Sequence, residues 1–306
     1  MNFEDAYREY LKFVSVKQKI TSRGTLEQRF QSKIIPYFKE YDIFDIKEID
    51  YLNFQSYVLN FNLSNGYIRG LHYLMCGFFD YCIDFLGLSV NIPRKVGQFK
   101  LKNVKTKHDF YTFREFRKFI KCFDNQVYKQ FFNFMFFTGC RPGEVMALKF
   151  SDLDFCSISI NKTISEHTFN GSRVVCDPKS LSSYRTITIN KSLYKNLMKL
   201  KRYYINIYND IDFDYFIFGG KKPLAPTTIN RYKNKACSLS GIRPIKLHEF
   251  RHSHASLLQS FNFPLQFIKE RLGHSDIRVT SEVYVHLTDK HKKRITRILN
   301  LLRLVI

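Results

Sequence analysis

The chain has 306 residues, which is enough for two domains with a substantial core in at least one of them. Its 49 lysines and arginines outnumber its 27 aspartates and glutamates, giving a formal net charge of +22. A charge this large is not typical of an ordinary small-molecule enzyme. It predicts a polyanionic partner. Coding bias toward lysine is the competing explanation for part of the excess.

The sequence favours nucleic acid over a membrane as that partner. The apolar stretch of residues 131–138 is too short to span a bilayer, and Asn133 interrupts it. The amino terminus lacks the basic and apolar regions of a cleaved secretion signal. Seven cysteines, an odd number without paired spacing, predict free thiols in a reducing compartment. We therefore expect a cytoplasmic protein with no membrane partner.

The first 92 residues are predicted to form a bundle of about four helices. Apolar residues recur at helical spacing from Phe3 onward, and Ser22 or Thr25 is a candidate cap for a second helix that ends near Ile35, before Pro36. Two further helices are expected at residues 49–61 and 68–85, on either side of a turn signal. Residues 1–92 are thus predicted to be one helical domain.

Residues 93–108 have the composition of a basic linker, with a proline, a glycine and frequent lysines. Two interpretations remain open for this segment. In the first, the segment lies along a phosphate backbone, which the positive charge on both sides of it favours. In the second, it is a solvated tether.

Residues 109–306 are predicted to form a second domain. Thr112 and Glu115 have capping-box spacing, and the apolar run of residues 127–137 indicates a buried helix. Short strands at residues 157–164, 173–176 and 185–189 predict a small antiparallel sheet with Lys179 on a hairpin. Helices are then expected at residues 192–208, 227–239, 247–261, 265–272 and 277–287. The predicted fold class is mainly α with a small antiparallel β-sheet.

Several short motifs carry groups suited to phosphate chemistry. Arg141 precedes a proline at an expected helix start, where a guanidinium and free backbone N–H groups face an anion. His248 and Arg251 are three residues apart, so one helix face presents both to a single phosphate. Tyr284 is a candidate nucleophile once cations or a base activate its phenol. Each motif taken alone is also compatible with a surface or packing role.

In order and spacing, the motifs resemble those of the tyrosine recombinase (phage integrase) family. The motifs are Thr138-Gly-Cys-Arg141-Pro-Gly-Glu144, Lys179 in a hairpin, His248-x-x-Arg251, Leu-Gly-His274 and Tyr284-x-His286. Their ordered conjunction is more specific than any one of them. The resemblance implies a two-domain DNA clamp, in which the amino-terminal bundle is the core-binding domain and the second domain is catalytic.

By this resemblance, Tyr284 attacks a scissile phosphate and forms a 3′-phosphotyrosyl link. Arg141 and Arg251 hold the non-bridging oxygens, and Lys179 protonates the departing 5′ oxygen. His248 takes part in proton transfer on the tyrosine.

The resemblance further implies that His274 donates a hydrogen bond to the phosphate, while Glu144 and His286 support the site. The covalent link conserves the phosphodiester energy, so no metal, ATP or other cofactor is implied. The expected partners are double-stranded DNA at attachment sites and three further copies in a homotetramer, with an excision factor or a host DNA-bending protein as optional accessories.

Because the bundle begins near Phe3, we expect no additional arm-site-binding domain. The tail, residues 289–306, has an amphipathic pattern that fits docking on a neighbouring protomer or on its own domain.

Three different functions compete with this interpretation. His248-Glu249-Phe-Arg-His252 fits the H-E-x-x-H pattern of zinc peptidases, and Glu270 lies where a third ligand is found. A zinc peptidase leaves Arg141, Lys179 and the +22 charge unexplained. A catalytically silent DNA-binding protein would have the same fold and charge without strand cleavage, and a type IB topoisomerase would share the chemistry without strand exchange.

Overall fold

The computed structural model describes residues 1–17, 20–101, 109–165, 174–177 and 183–273, and residues 294, 295, 297, 298 and 301 of the tail. The described chain forms two compact units, one up to residue 101 and one from residue 109 onward. All seven cysteines are free thiols, as predicted. Among the helices of these residues, none combines the length and apolar character needed to cross a bilayer.

The first unit is helical, as the apolar periodicity predicts. Its helices are α1 (Phe3–Lys17), α2 (Ile20–Arg29), α3 (Ile35–Phe38), α4 (Glu48–Leu59), α5 (Asn65–Leu86) and α6 (Ile92–Val96). Aromatic rings fill the core, with Phe78 in edge contact with both Phe3 and Phe30. α5 begins where Ser64 accepts the N–H of Tyr67 and ends at Gly87, whose φ is +80°.

A π-helical turn, Phe30–Ile34, joins α2 to α3 and changes one expectation from the sequence. The sequence predicts a helix end near Ile35 because Pro36 follows, yet the helix continues to Phe38. A proline removes one N–H donor and crowds the preceding turn. The wider turn, in which the N–H of Ile35 reaches the carbonyl of Phe30, accommodates the proline without a break.

α6 and the residues after it pack on the first unit. Lys95 contacts Glu48 at 2.6 Å, Gln55 donates to the carbonyl of Gly97 at 2.8 Å, and Phe99 is buried in the core. The domain boundary at residue 92 remains a prediction, and the packing of this unit extends beyond it.

The second unit combines helices with two small antiparallel sheets. Its helices are α7 (Phe113–Lys121), α8 (Gln126–Thr138), α9 (Pro142–Ala147), α10 (Lys191–Tyr208), α11 (Pro226–Ser240), α12 (Glu249–Ser260) and α13 (Leu265–Leu272), and its strands are β1 (Leu153–Asp154), β2 (Ser157–Ile160), β3 (Thr163–Ser165), β4 (Val174–Cys176) and β5 (Arg185–Thr188). The capping box at Thr112 is confirmed, since its Oγ1 accepts the N–H of Glu115 and its own N–H donates to Glu115. The mainly helical fold class is confirmed.

The strands pair as two sheets among the described residues rather than the single sheet expected. One has the order β1-β2-β5, with Ile158 opposite Ile187, and the other pairs β3 with β4. The run of residues 157–164 therefore divides into two strands, with Asn161 and Lys162 between them. Lys179 and the predicted helix at 277–287 lie outside the described residues.

The core of the second unit forms around α8, most of whose side chains are buried. Phe136 stacks on Phe116 with ring centroids 3.9 Å apart, and Phe250 of α12 packs against Phe132 of α8 with ring centroids 5.2 Å apart. Among the tail residues that the structure describes, Ile295 is buried in this same core and Arg294 donates to the carbonyl of Phe261 at 3.0 Å. These tail residues pack on their own domain.

Candidate functional site

The turn between α8 and α9 requires a glycine at position 139. Gly139 ends α8 with a φ of +68°, a left-handed conformation that glycine adopts freely. A Cβ there would lie 2.6 Å from Leu272 Cδ2 and 2.7 Å from His254 Cδ2. Gly139 therefore permits both the turn and the close approach of α12 and α13.

Arg141 is the N-cap residue of α9, as the following proline predicts. Its Nη1 donates to Glu144 at 2.8 Å and its Nη2 donates to the carbonyl of Gly273 at 3.1 Å. Gly143 lets this turn pack against β3, because a Cβ there would lie 2.6 Å from the Ile164 carbonyl oxygen. The side chain of Arg141 is 35% exposed, so it can still reach a bound anion.

Glu144 is the buried carboxylate that organises the cluster. Arg185 of β5 donates to both of its oxygens, at 3.1 and 2.7 Å, and Arg141 donates from its backbone and its side chain. Burial alone would raise the pKa of Glu144. The bonds from Arg185 and Arg141 outweigh burial, so the pKa lies below its ordinary value and the group is ionised at neutral pH.

Arg251 lies on α12 and is 2% exposed. Its Nη1 donates to the carbonyl of Gly139 at 3.0 Å, whereas its Nη2 has no hydrogen-bond partner within the described part of the chain. Burial, and then the nearby charges of Arg141 and Arg185, lower its pKa to about 10. Arg251 therefore stays charged at neutral pH, with donor capacity left over for a further acceptor.

His248 immediately precedes α12 at the surface of this cluster. Partial desolvation, followed by the positive charges of Arg251 and His252, lowers the pKa of His248. The ring is consequently neutral at pH 7 and can accept a proton. The rings of His248 and His252 make an edge contact with centroids 5.6 Å apart.

The structure thus brings Arg141, His248 and Arg251 together, as their motifs predict. Lys179, His274, Tyr284 and His286 lie outside the described residues. Gly273, the residue before His274, accepts the hydrogen bond from Arg141.

Three buried residues of the cluster were missed from the sequence: Arg185, His254 and Arg271. Arg271 donates to His254 Nε2 at 3.1 Å and to two backbone carbonyls. The sequence did contain a signal for Arg185: it is two residues before Ile187 on β5, so both side chains lie on the inward face of the strand. Likewise, Arg271 is four residues after the buried Phe267.

The residues that would bind zinc in a peptidase have different partners here. Glu249 accepts the N–H of Lys246 at 2.6 Å, and Glu270 accepts from Gln266 at 3.2 Å. Among the described residues, no three His, Cys, Asp or Glu side chains come together as metal ligands.

Comparison with known families decides between the competing functions. Residues 110–291 match the model of the phage integrase family, and residues 2–59 match that of the phage integrase N-terminal SAM-like domain. The chain belongs to the phage integrase family. As a member, it is a site-specific tyrosine recombinase, an enzyme that cleaves and rejoins DNA. The zinc-peptidase interpretation is therefore wrong.

Individual relatives agree with this assignment. The ICEBs1 integrase of Bacillus subtilis (strain 168) is 32% identical over 267 residues, which cover 85% of this chain and 72% of the relative. The Tn1549 transposon integrase in complex with transposon right end DNA has a TM-score of 0.71 at 16% identity, covering 95% of this chain and 99% of that one. A lambda integrase tetramer bound to a Holliday junction has a TM-score of 0.67 at 15% identity, covering 92% and 80%. These two structures share the fold with this integrase.

Proposed function

We propose that this recombinase cuts duplex DNA at the attachment sites of a mobile element, through a 3′-phosphotyrosyl intermediate on Tyr284. The observation that carries the proposal is Arg251, a buried guanidinium whose Nη2 has no partner among the described residues. A non-bridging phosphate oxygen supplies both the missing acceptor and the negative charge that this cluster needs.

The remaining steps are assigned from the motifs and from the geometry around Arg251. Arg141 and Arg251 hold the non-bridging oxygens while Tyr284 Oη attacks phosphorus. The phenolic proton passes to His248, which the lowered pKa keeps neutral.

Lys179 gives a proton to the departing 5′ oxygen as its bond to phosphorus breaks, and His274 donates a hydrogen bond to the phosphate. The phosphotyrosyl bond replaces the phosphodiester bond, so rejoining by the reverse steps needs neither ATP nor a metal.

We propose that residues 1–92 form the core-binding domain, residues 93–108 the linker and residues 109–306 the catalytic domain. The family match over residues 2–59 supports the first of these. Strand exchange joins two duplexes, so we propose a homotetramer as the active assembly in the cytoplasm, like the lambda integrase tetramer on its junction. An excision factor or a host DNA-bending protein is the proposed accessory.

The test uses nicked suicide duplexes made from the ends of the element that encodes the protein, with EDTA present. We expect a denaturant-resistant protein–DNA adduct that Tyr284→Phe abolishes without loss of duplex binding. Tyr203→Phe is the matched control, because Tyr203 is 52% exposed on α10 and should retain the adduct. An adduct that persists in Tyr284→Phe would refute the assignment of the nucleophile.

A further inference from the structure

Arg271 is a buried cation whose hydrogen-bond acceptors, within the part of the chain that the structure describes, are all neutral. It is 8% exposed, and its guanidinium donates to His254 Nε2 at 3.1 Å, to the carbonyl of Phe137 at 3.3 Å and to the carbonyl of Thr188 at 3.1 Å. The three acceptors belong to α12, α8 and β5. One side chain of α13 therefore ties together three other elements of the second unit.

His254, the first of these acceptors, is fixed in one tautomer. It is fully buried, and its Nδ1 lies 2.9 Å from the carbonyl of Phe136. A carbonyl only accepts and a guanidinium only donates, so Nδ1 carries the proton and Nε2 accepts from Arg271. Burial, followed by the charge of Arg271, holds the pKa of His254 well below its ordinary value. The imidazole remains a neutral bridge across the working pH range.

This bridge connects to Arg251 on one side and, on the other, to Arg185, which bonds Glu144. His254 is one helical turn after Arg251 on α12. Phe136 and Phe137 lead directly into Gly139, whose carbonyl holds Arg251. On the other side, the carbonyl of Arg271 accepts a bond from Arg185 at 3.1 Å.

We propose that Arg271 and His254 are a positioning pair for strand cleavage. The pair holds the Arg251 helix in register with the turn at Gly273, where α13 ends and the Leu-Gly-His motif continues. Neither side chain touches the phosphate, and both act through the placement of Arg251. This inference rests on the proposed function.

Arg271→Lys and His254→Gln test the pair. A lysine keeps the charge but lacks the planar fork that reaches three acceptors. A glutamine has a donor and an acceptor, but they sit on one terminal amide of a flexible side chain instead of on a rigid ring that spans Phe136 and Arg271. At saturating protein, we expect adduct formation on suicide duplexes to slow about 10- to 100-fold in each variant, with duplex affinity unchanged.

A methylphosphonate substrate separates positioning from a merely structural effect. Replacing one non-bridging oxygen by methyl removes the negative charge that Arg251 would neutralise. If the pair acts through Arg251, the defect of both variants should largely disappear on this substrate, as should that of Arg251→Ala. A variant that is only less stable would be equally slow on both substrates, and that result would overturn the proposal.

Tyr204→Phe is the matched control for stability. Tyr204 is buried in the same unit, where its hydroxyl donates to the carbonyl of Ile217 and accepts the N–H of Gly219. We expect this variant to lose thermal stability. Its cleavage rate relative to that of the wild type should be the same on both substrates. Normal cleavage by Arg271→Lys and His254→Gln would refute the pair alone, whereas wild-type protein without a Tyr284-dependent adduct would refute the proposed function itself.

Discussion

At the scale of single residues, the most informative group is the Arg251 guanidinium, which is buried near Arg141 and Arg185 and donates to the carbonyl of Gly139. Its pKa in the folded chain is about 10, below the ordinary value of 12.5. Because the charged form is less favourable in the folded chain than in the unfolded one, the charge of Arg251 opposes folding at every pH below about 10. A bound phosphate would remove that penalty.

Arg251→Met should therefore separate stability from activity. We expect the thermal midpoint of the DNA-free protein to stay unchanged or to rise by a few degrees, because a buried charge is replaced by a side chain of similar reach. Adduct formation should fall by about 100- to 1,000-fold or more, since a preorganised donor to the phosphate is lost. Differential scanning calorimetry and the suicide-duplex assay measure the two effects. A midpoint lowered by more than about 5 °C would contradict this account of Arg251.

Glu144→Gln should have the opposite effect on stability. The variant leaves Arg185 and Arg141 without their carboxylate, so we expect a loss of about 3–5 kcal/mol in the free energy of unfolding at neutral pH. The folded pKa of Glu144 is lowered, so its stabilisation is complete above the unfolded pKa of about 4.3 and is lost as the pH falls through the folded pKa.

Urea unfolding of wild type and Glu144→Gln over a pH series measures this linkage. The two stabilities should converge as the solution is acidified. A difference that stays constant across the series would show that the carboxylate charge is not the source of the stabilisation.

At the scale of elements, the sequence was sufficient to predict those features whose stabilising contacts join residues close together in the chain. The capping box at Thr112, the buried α8 and the proline start of α9 depend on residues within a few positions of each other. The π-helical turn was missed because it depends on how one helix accommodates Pro36. Arg185, His254 and Arg271 were missed because the partners that place them, described above, lie 17 to 134 residues away in the sequence.

The turn at the end of α8 offers a test of crowding. Gly139 and Gly241 both end a helix with almost the same φ, +68° and +66°, but a Cβ at Gly241 would have no atom within 4 Å. Alanine at either position carries the left-handed penalty of about 1–2 kcal/mol. Gly139→Ala should lose about 1–3 kcal/mol more, because it displaces His254 and Leu272.

Urea denaturation of the two alanine variants gives this difference directly. Gly139→Ala should also slow adduct formation, because Arg251 is anchored to its carbonyl, whereas Gly241→Ala should not. Equal stability losses would indicate that the crowding at Gly139 relaxes without cost.

At the scale of the whole molecule, the charge of +22 is far larger than the arginine cluster accounts for. Lysines and arginines spread over both units add a sequence-independent attraction to DNA, while the cluster at Arg251 addresses one phosphate. The overall charge was evident from the sequence, whereas its division between these two roles needed the fold.

Duplex binding should consequently weaken steeply with salt. Counterion release predicts a linear fall of the logarithm of the binding constant with the logarithm of salt concentration, by about 1,000-fold or more between about 50 and 200 mM. Fluorescence anisotropy with a labelled duplex measures the slope. Arg251→Met should leave that slope nearly unchanged, since it removes one contact among many. A flat response in the wild type would be inconsistent with a broad phosphate interface.

Arg251 is anchored by a neutral backbone carbonyl, and this affects how the sequence of the gene should change once recombination is no longer selected. Gly139 and Glu144 should both stabilise the fold, so purifying selection on a folded product should retain them even after recombination ceases to matter. We expect Arg251 to be retained by cleavage alone, because its replacement should not destabilise the fold. In descendants that no longer mobilise their element, substitutions should accumulate at position 251 before they appear at positions 139 or 144, so that Arg251 marks the copies still able to move.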